Sequence, residues 1–576
     1  MDIPFGQQTN PQETSNKNIE LLWGVRIPMR DGICLNATLY KPKTESTTPA
    51  VFTLTPYIAD SYHPRAKYFV ENGYAYLLID SRGRGNSEGV FEPFVNEGCD
   101  GHDIVEWIAC QSWCNGSVAM WGGSYGGFNQ WMALKEFPSH LKSIVPVASA
   151  HAGVDFPFIN NIFFSYEMQW LTLVSGVTGN SNLFSEQSFW IEKYRELFLE
   201  HRPFKELDRV IGNLTSCYQT WIKHPTPDQY WDRMSLIPED YERIRIPILT
   251  ITGYYDDDQP GAMHYYQMHM RHGSPEGISQ HYLVIGPWDH AGTRTPSQEF
   301  GGLKFSDACL LDMNKLHKEW YDWCLKDGAK PDFLKKRVAY YLMGADEWKY
   351  ADSLETIPSK TQKLFLNSTG GYAEDVFHSG TLENQPPVSS QPDHFTYDPL
   401  DIRPAEMERE EIKNYLTDQR YDLNLFGSGL VYHTAPFDEP VEITGYVKLI
   451  VWISMDVPDT DLMVTLSEIL LDGSRVQLTQ DFLRTRYRNS LTKEELVNAG
   501  AIERYEFDDF MFFSRRINKA SRLRLVIKSP NSIYIQKNYN SGGVVAEESA
   551  KDAQTAHITL YHQLEYPSCL EIPLVC

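Results

Sequence analysis

Short apolar runs alternate with helix-like stretches through the first part of the chain. Ala50-Val51-Phe52-Thr53-Leu54-Thr55 and Tyr74-Ala75-Tyr76-Leu77-Leu78-Ile79-Asp80 read as buried parallel strands. Val118-Ala119-Met120-Trp121 and Ser143-Ile144-Val145-Pro146-Val147 continue the series, with an amphipathic helix expected from Asp103 to Cys110. Strand and helix in alternation predict an α/β architecture built on a parallel sheet.

From about residue 151 to 240 the texture changes. Segments such as Phe163-Phe164-Ser165-Tyr166-Glu167-Met168-Gln169-Trp170 and Phe189-Trp190-Ile191-Glu192-Lys193-Tyr194 place large apolar residues at helical spacing. The strand pattern returns at Ile246-Pro247-Ile248-Leu249-Thr250-Ile251 and at His281-Tyr282-Leu283-Val284-Ile285, so a helical insertion interrupts one sheet and forms a cap. Beyond about 355, short alternating segments such as Val441 to Val451 and Arg522 to Ile527, punctuated by Asn, Gly and Pro, predict a β-sandwich or jelly roll. The expected division is an α/β domain in two parts, 1–150 and 241–354, the cap at 151–240, and the jelly roll at 355–576.

A length of 576 residues fits several domains rather than one core. The net charge of −24 would repel a phosphate backbone, which argues against nucleic acid and anionic membranes as partners. Nine cysteines (Cys34, Cys99, Cys110, Cys114, Cys217, Cys309, Cys324, Cys569 and Cys576) form no CxxC pair, and their odd number cannot be fully paired within one chain. Reduced thiols, a start with no signal-peptide pattern and the lack of an 18-residue apolar run together suggest the cytoplasm.

The chemistry concentrates at Gly122-Gly123-Ser124-Tyr125-Gly126, between an apolar strand and the helix-like Phe128 to Leu134. A nucleophile elbow needs that context: the serine occupies a strained turn, and neighbouring glycines are expected to avoid collisions with strand and helix. A serine hydroxyl is a weak nucleophile and requires a base and an orienting carboxylate. Asp256 follows the strand pattern at 246–251, and His290 follows the one at 281–285. The order Ser124, Asp256, His290 is that of α/β-hydrolases. Asp257 and Asp258 compete with Asp256 for the carboxylate role, whereas Asp289 is too close in sequence to hold the ring from the correct side.

These residues resemble the cocaine esterase-like or X-Pro dipeptidyl-peptidase superfamily of serine hydrolases, which includes α-amino-acid ester hydrolases and glutaryl-cephalosporin acylases. The resemblance rests on Val25-Arg26-Ile27-Pro28-Met29-Arg30-Asp31-Gly32, Thr55-Pro56-Tyr57, Asp80 to Gly89, the elbow, Gly253-Tyr254-Tyr255-Asp256 and Gly286-Pro287-Trp288-Asp289-His290. It implies an α/β-hydrolase domain, a cap inserted after the sixth strand and a C-terminal jelly roll. It also implies an oxyanion hole made by the Tyr125 amide and the Tyr57 hydroxyl. α-Amino-acid ester hydrolases hold a substrate ammonium with carboxylates just after the triad aspartate and another from the cap. Asp257, Asp258 and Asp155 are the candidates here, although Gln259 stands where a second carboxylate of that pattern is expected.

The glycines of Arg82-Gly83-Arg84-Gly85-Asn86-Ser87-Glu88-Gly89 have the wrong spacing for GxGxxG, and no HExxH or Cys/His ligand spacing occurs. We therefore expect neither cofactor nor metal. The expected partner is a small-molecule ester or amide, hydrolysed through a Ser-His-Asp triad; homo-oligomerisation stays open. X-Pro dipeptidyl peptidase, α-amino-acid ester hydrolase and acyl transferase are alternatives within the class. A binding protein with a vestigial hydrolase domain is the alternative outside it.

Overall fold

The computed structural model describes residues 18–388, 390–420 and 422–575. The polar start to residue 17 and Cys576 lie outside them. The ten strands of the first sheet are β1 (Ile19–Pro28), β2 (Cys34–Pro42), β3 (Thr48–Thr55), β4 (Ala75–Asp80), β5 (Cys114–Gly123), β6 (Leu141–Val147), β7 (Ile248–Tyr255), β8 (His281–Asp289), β9 (Val338–Leu342) and β10 (Glu347–Ala351). They lie in the order β1-β2-β4-β3-β5-β6-β7-β8-β9-β10. From β4 across to β9 all neighbours are parallel, while β1, β2 and β10 pair antiparallel at the margins.

Strand periodicity sorts the buried side chains between two cores. Phe52, Leu77 and Ile79 pack with α2 (Glu97–Ala109) and α3 (Tyr125–Lys135); Val51, Tyr76 and Leu78 pack on the other face with α1 (His63–Glu71) and a helix spanning Met313–Leu325. Both faces are covered, which is why β4 is buried at every position.

Between β6 and β7 the chain forms a set of short helices, including α4 (Tyr166–Leu173) and α5 (Gln187–Leu199), whose apolar side chains extend the first core. Trp190, Trp221 and Trp231 are at most 2% exposed and belong to this packing. These tryptophans thus build the cap's own interior.

The remaining strands, from Ser359–Asn367 to Cys569–Val575, join in a second, 13-stranded assembly that is antiparallel apart from one pair. The alternating run Val441 to Val451 is not one strand. It divides into Val441–Gly445 and Lys448–Met455, because Gly445 takes φ 138°, a conformation that L side chains rarely adopt. This C-terminal region packs directly on the cap and the first sheet: Arg484 Nη1 donates to the Asn161 carbonyl (2.8 Å), and Tyr255 Oη to that of Gln477 (2.9 Å). Among the described residues, the eight remaining cysteines are free thiols, and no helix is long and apolar enough to cross a membrane.

Candidate active site

Parallel strands deliver their C-terminal ends to one edge of the sheet, where α/β proteins place ligands. β3 leads into Tyr57, β5 into Ser124, β7 into Asp256 and β8 into His290.

Ser124 occupies the turn between β5 and α3 with φ 61° and ψ −125°, a strained position for a residue with a side chain. Its amide donates to the Val147 carbonyl at 2.9 Å, and its own carbonyl accepts from Gly127 N at 2.7 Å. Close packing explains the glycines, but not all of them. A Cβ at Gly122 would meet the Gly126 carbonyl oxygen at 2.6 Å, and one at Gly127 would meet Ser149 Cα at 2.8 Å. At Gly126 the nearest atom would be 3.7 Å away, so the expected steric demand falls on Gly122 and Gly127, and on Gly123 against the Arg294 side chain at 2.6 Å, but not on Gly126.

Of the three consecutive aspartates, Asp256 is the one that holds the imidazole. Its Oδ1 is 2.7 Å from His290 Nδ1, and Oδ2 accepts from Thr252 Oγ1 at 2.8 Å. Asp258 Oδ2 lies farther from the same nitrogen, at 3.7 Å, while Asp257 is exposed. Asp289 accepts from Gly292 N at 2.7 Å and shapes the loop after the strand. Burial of the ring and the Arg294 cation oppose protonation of His290, but the carboxylates of Asp258 and Asp256 outweigh them and hold it above the usual imidazole range.

Tyr125 is the first residue of α3, where backbone N–H groups have no intrahelical acceptor. Its side chain is anchored below: the hydroxyl donates to buried Glu97 at 2.5 Å and accepts from Phe94 N at 2.6 Å. The Tyr57 hydroxyl accepts from Trp170 Nε1 at 2.9 Å and faces the same cavity as Ser124. Burial pushes Tyr57 up to about 12, so its phenol keeps the proton near neutrality.

Ser124, His290, Tyr57 and Tyr125 line a single cavity of about 310 Å³ together with Asp155, Asp257 and Asp258. Asp155 spends both oxygens on backbone amides, Oδ1 on His151 N (2.8 Å) and Oδ2 on Gly261 N (2.6 Å). Gln259 faces away, bridging Gly253 and Phe512. Sequence reasoning missed a fourth carboxyl: Glu167, 2% exposed, accepts from Phe164 N at 2.7 Å through Oε1, and its buried Oε2 has no partner. Burial pushes Glu167 and Asp258 well above the carboxylate range. Gln480 and Phe482 complete the lining from the C-terminal region, a contribution no local pattern announces. Among the described residues, no group of three or more His, Cys, Asp or Glu is arranged to hold a metal ion.

Residues 31–292 match the X-Pro dipeptidyl-peptidase (S15 family), and residues 333–571 match the X-Pro dipeptidyl-peptidase C-terminal non-catalytic domain. The chain is 27% identical over 585 aligned positions to cocaine esterase of Rhodococcus sp. (strain MB1 Bresler), covering 97% of this chain and 99% of the relative. Its fold is similar to that of an aminopeptidase from a marine sediment archaeon, Thaumarchaeota archaeon (TM-score 0.82, 21% identity, 100% and 99% of the two chains). An α-amino acid ester hydrolase shares the fold to the same degree (TM-score 0.81, 22% identity, 99% and 100%).

Proposed function

The chain belongs to the X-Pro dipeptidyl-peptidase family with its cocaine esterase-like members and is a hydrolytic enzyme; on that premise we propose that it cleaves a carboxylic ester or amide through an acyl-enzyme on Ser124. The observation that carries the reading is the 2.7 Å contact of His290 with Asp256 in the cavity that also contains the strained Ser124.

In this mechanism His290 takes the Ser124 proton as Oγ attacks the carbonyl carbon, and Asp256 fixes the ring tautomer by accepting from Nδ1. The tetrahedral oxyanion receives hydrogen bonds from the Tyr125 amide and the Tyr57 hydroxyl, donors of a kind that contribute about 100- to 1000-fold in rate. Collapse expels the alcohol or amine, which takes the proton from His290. Water, deprotonated in turn by His290, attacks the acyl carbon and releases the acid and free Ser124.

The carboxyls extend the reading to a substrate with a free amine near the scissile carbonyl, an α-amino ester or the N-terminal end of a peptide. Asp258, Glu167 and Asp155 are pushed toward their neutral forms by burial, and an ammonium group entering beside them favours their ionised forms. Exposed Asp257 adds negative charge to the same lining. We assign the C-terminal β-assembly a jelly-roll topology, supported by its antiparallel pairing, and divide the chain as 1–150 and 241–354 (catalytic), 151–240 (cap) and 355–576.

The test is hydrolysis of matched phenylglycine and phenylacetate methyl esters, with the N-acetylated phenylglycine ester beside them and Ser124→Ala as the blank. Ser124-dependent turnover that favours the free amine supports the whole reading. Equal turnover of all three removes the ammonium site and leaves the hydrolase.

A further inference from the structure

We infer that Trp170 is a positioning residue for the oxyanion hole: its indole N–H occupies the acceptor side of the Tyr57 hydroxyl and leaves the phenolic proton for the oxyanion. The inference rests on the reading of Tyr57 as an oxyanion donor.

An indole N–H can only donate, so at 2.9 Å the Tyr57 oxygen must accept from it. A phenol has one proton, and the Tyr57 hydroxyl lines the same cavity as Ser124. With Trp170 on one side, the Tyr57 proton is directed toward the side on which Ser124 and the attacked carbonyl meet. The chain N–H to O–H to oxyanion also polarises cooperatively, each bond strengthening the next as negative charge develops.

Trp170 is itself rigidly held. It is 4% exposed, stacks on Tyr125 (centroids 5.5 Å apart, planes at 27°) and on Phe94 (5.9 Å, 26°), and meets Phe156 edge-on at 5.2 Å. Trp170 therefore touches both residues that supply the oxyanion hole. Its helix is tied to Tyr57 by Arg84, a fully buried guanidinium. Nε donates to the carbonyl of Pro56, directly before Tyr57 (2.8 Å), and Nη1 to the Val174 carbonyl at the end of α4 (2.7 Å). One cation thus fixes the distance between the cap helix and the loop carrying the tyrosine, which gives Arg84 in the glycine-rich segment a role without any nucleotide.

The experiment is a double-mutant cycle on kcat with Tyr57→Phe and Trp170→Phe, using one ester substrate. Tyr57→Phe is expected to lower kcat about 100-fold. Trp170→Phe keeps an aromatic ring, removes the N–H, and is expected to lower kcat about tenfold with little change in KM. In the Tyr57→Phe background the Trp170 substitution should have almost no further effect, because the hydroxyl it orients is gone. Equal losses in both backgrounds mean that Trp170 acts through packing, and normal kcat in Trp170→Phe means that it orients nothing; either result overturns the inference and leaves Tyr57 in place. Full activity in Tyr57→Phe removes the oxyanion reading and this inference with it. If Trp170→Phe does not fold, benzothienylalanine at position 170, which replaces the N–H by sulfur in the same bicyclic shape, supplies the same comparison.

Discussion

His290 Nδ1 lies 2.7 Å from Oδ1 of Asp256, a carboxylate with no exposure to solvent whose other oxygen is held by Thr252. Asp257 and Asp258 follow immediately, yet only Asp256 has this contact. Asp256→Asn is therefore expected to lower kcat by about 10,000-fold by favouring the wrong ring tautomer, with the fold intact. Asp257→Asn should change kcat for an uncharged ester by less than about threefold, since an exposed charge contributes little. Steady-state kinetics of the two variants decides between them.

The pH profile should reflect the acids around His290. The ring must be neutral to act as base, so kcat/KM for an uncharged ester rises with pH as His290 loses its proton. Asp258 and Asp256 hold that proton on, which places the acid limb above the usual imidazole range. Burial holds Asp258 toward its neutral form, so Asp258→Asn should move the limb to lower pH by less than loss of the Asp256 charge would. An unmoved limb would show that Asp258 does not act on His290.

Glu97 under Tyr125 makes stability depend on pH. Burial pushes its carboxyl up to about 7, so the folded state binds a proton that the unfolded chain releases. The stabilisation is complete below the unfolded carboxyl range and is lost as pH rises toward about 7, amounting to about 3 kcal/mol. Glu97→Gln, which still accepts from Tyr125, should reduce the loss of stability between denaturation curves recorded at pH 5 and pH 8, the remainder coming from the other buried carboxyls, Asp155, Asp258 and Glu167.

The elbow glycines should separate sharply. Gly127→Ala places a Cβ 2.8 Å from the Ser149 backbone and is expected to destabilise by about 1–3 kcal/mol. Gly126→Ala meets nothing closer than 3.7 Å and should leave the melting temperature unchanged or raise it, since alanine favours the helix. Thermal melts of both variants test this.

The sheet and the places of the proposed triad residues were legible in the sequence because strands buried on both faces leave continuous apolar runs, and the residues at their ends stand directly after them. Ser124, Asp256 and His290 each follow such a run. The cavity was less legible. Glu167 and Trp170 lie in a cap where apolar and aromatic spacing serves packing and lining alike, and nothing local distinguishes Trp170 from the buried Trp190. Gln480 and Phe482 arrive from more than 300 residues beyond Ser124 in sequence, through packing that no periodicity encodes. Asp155, a candidate from its residue type, also lines the cavity, and its oxygens accept from the backbone amides of His151 and Gly261.

The central claim is that Ser124 is the nucleophile, and covalent labelling tests it most directly. The folded protein is treated with a fluorophosphonate, and the adduct is located by peptide mass spectrometry, with Ser124→Ala treated alongside. The account expects a single phosphonyl adduct on Ser124, loss of ester hydrolysis in proportion to labelling, and a drop in turnover of about a million-fold in Ser124→Ala. An adduct on another residue, or a Ser124→Ala protein that still hydrolyses the ester at the normal rate, would contradict it.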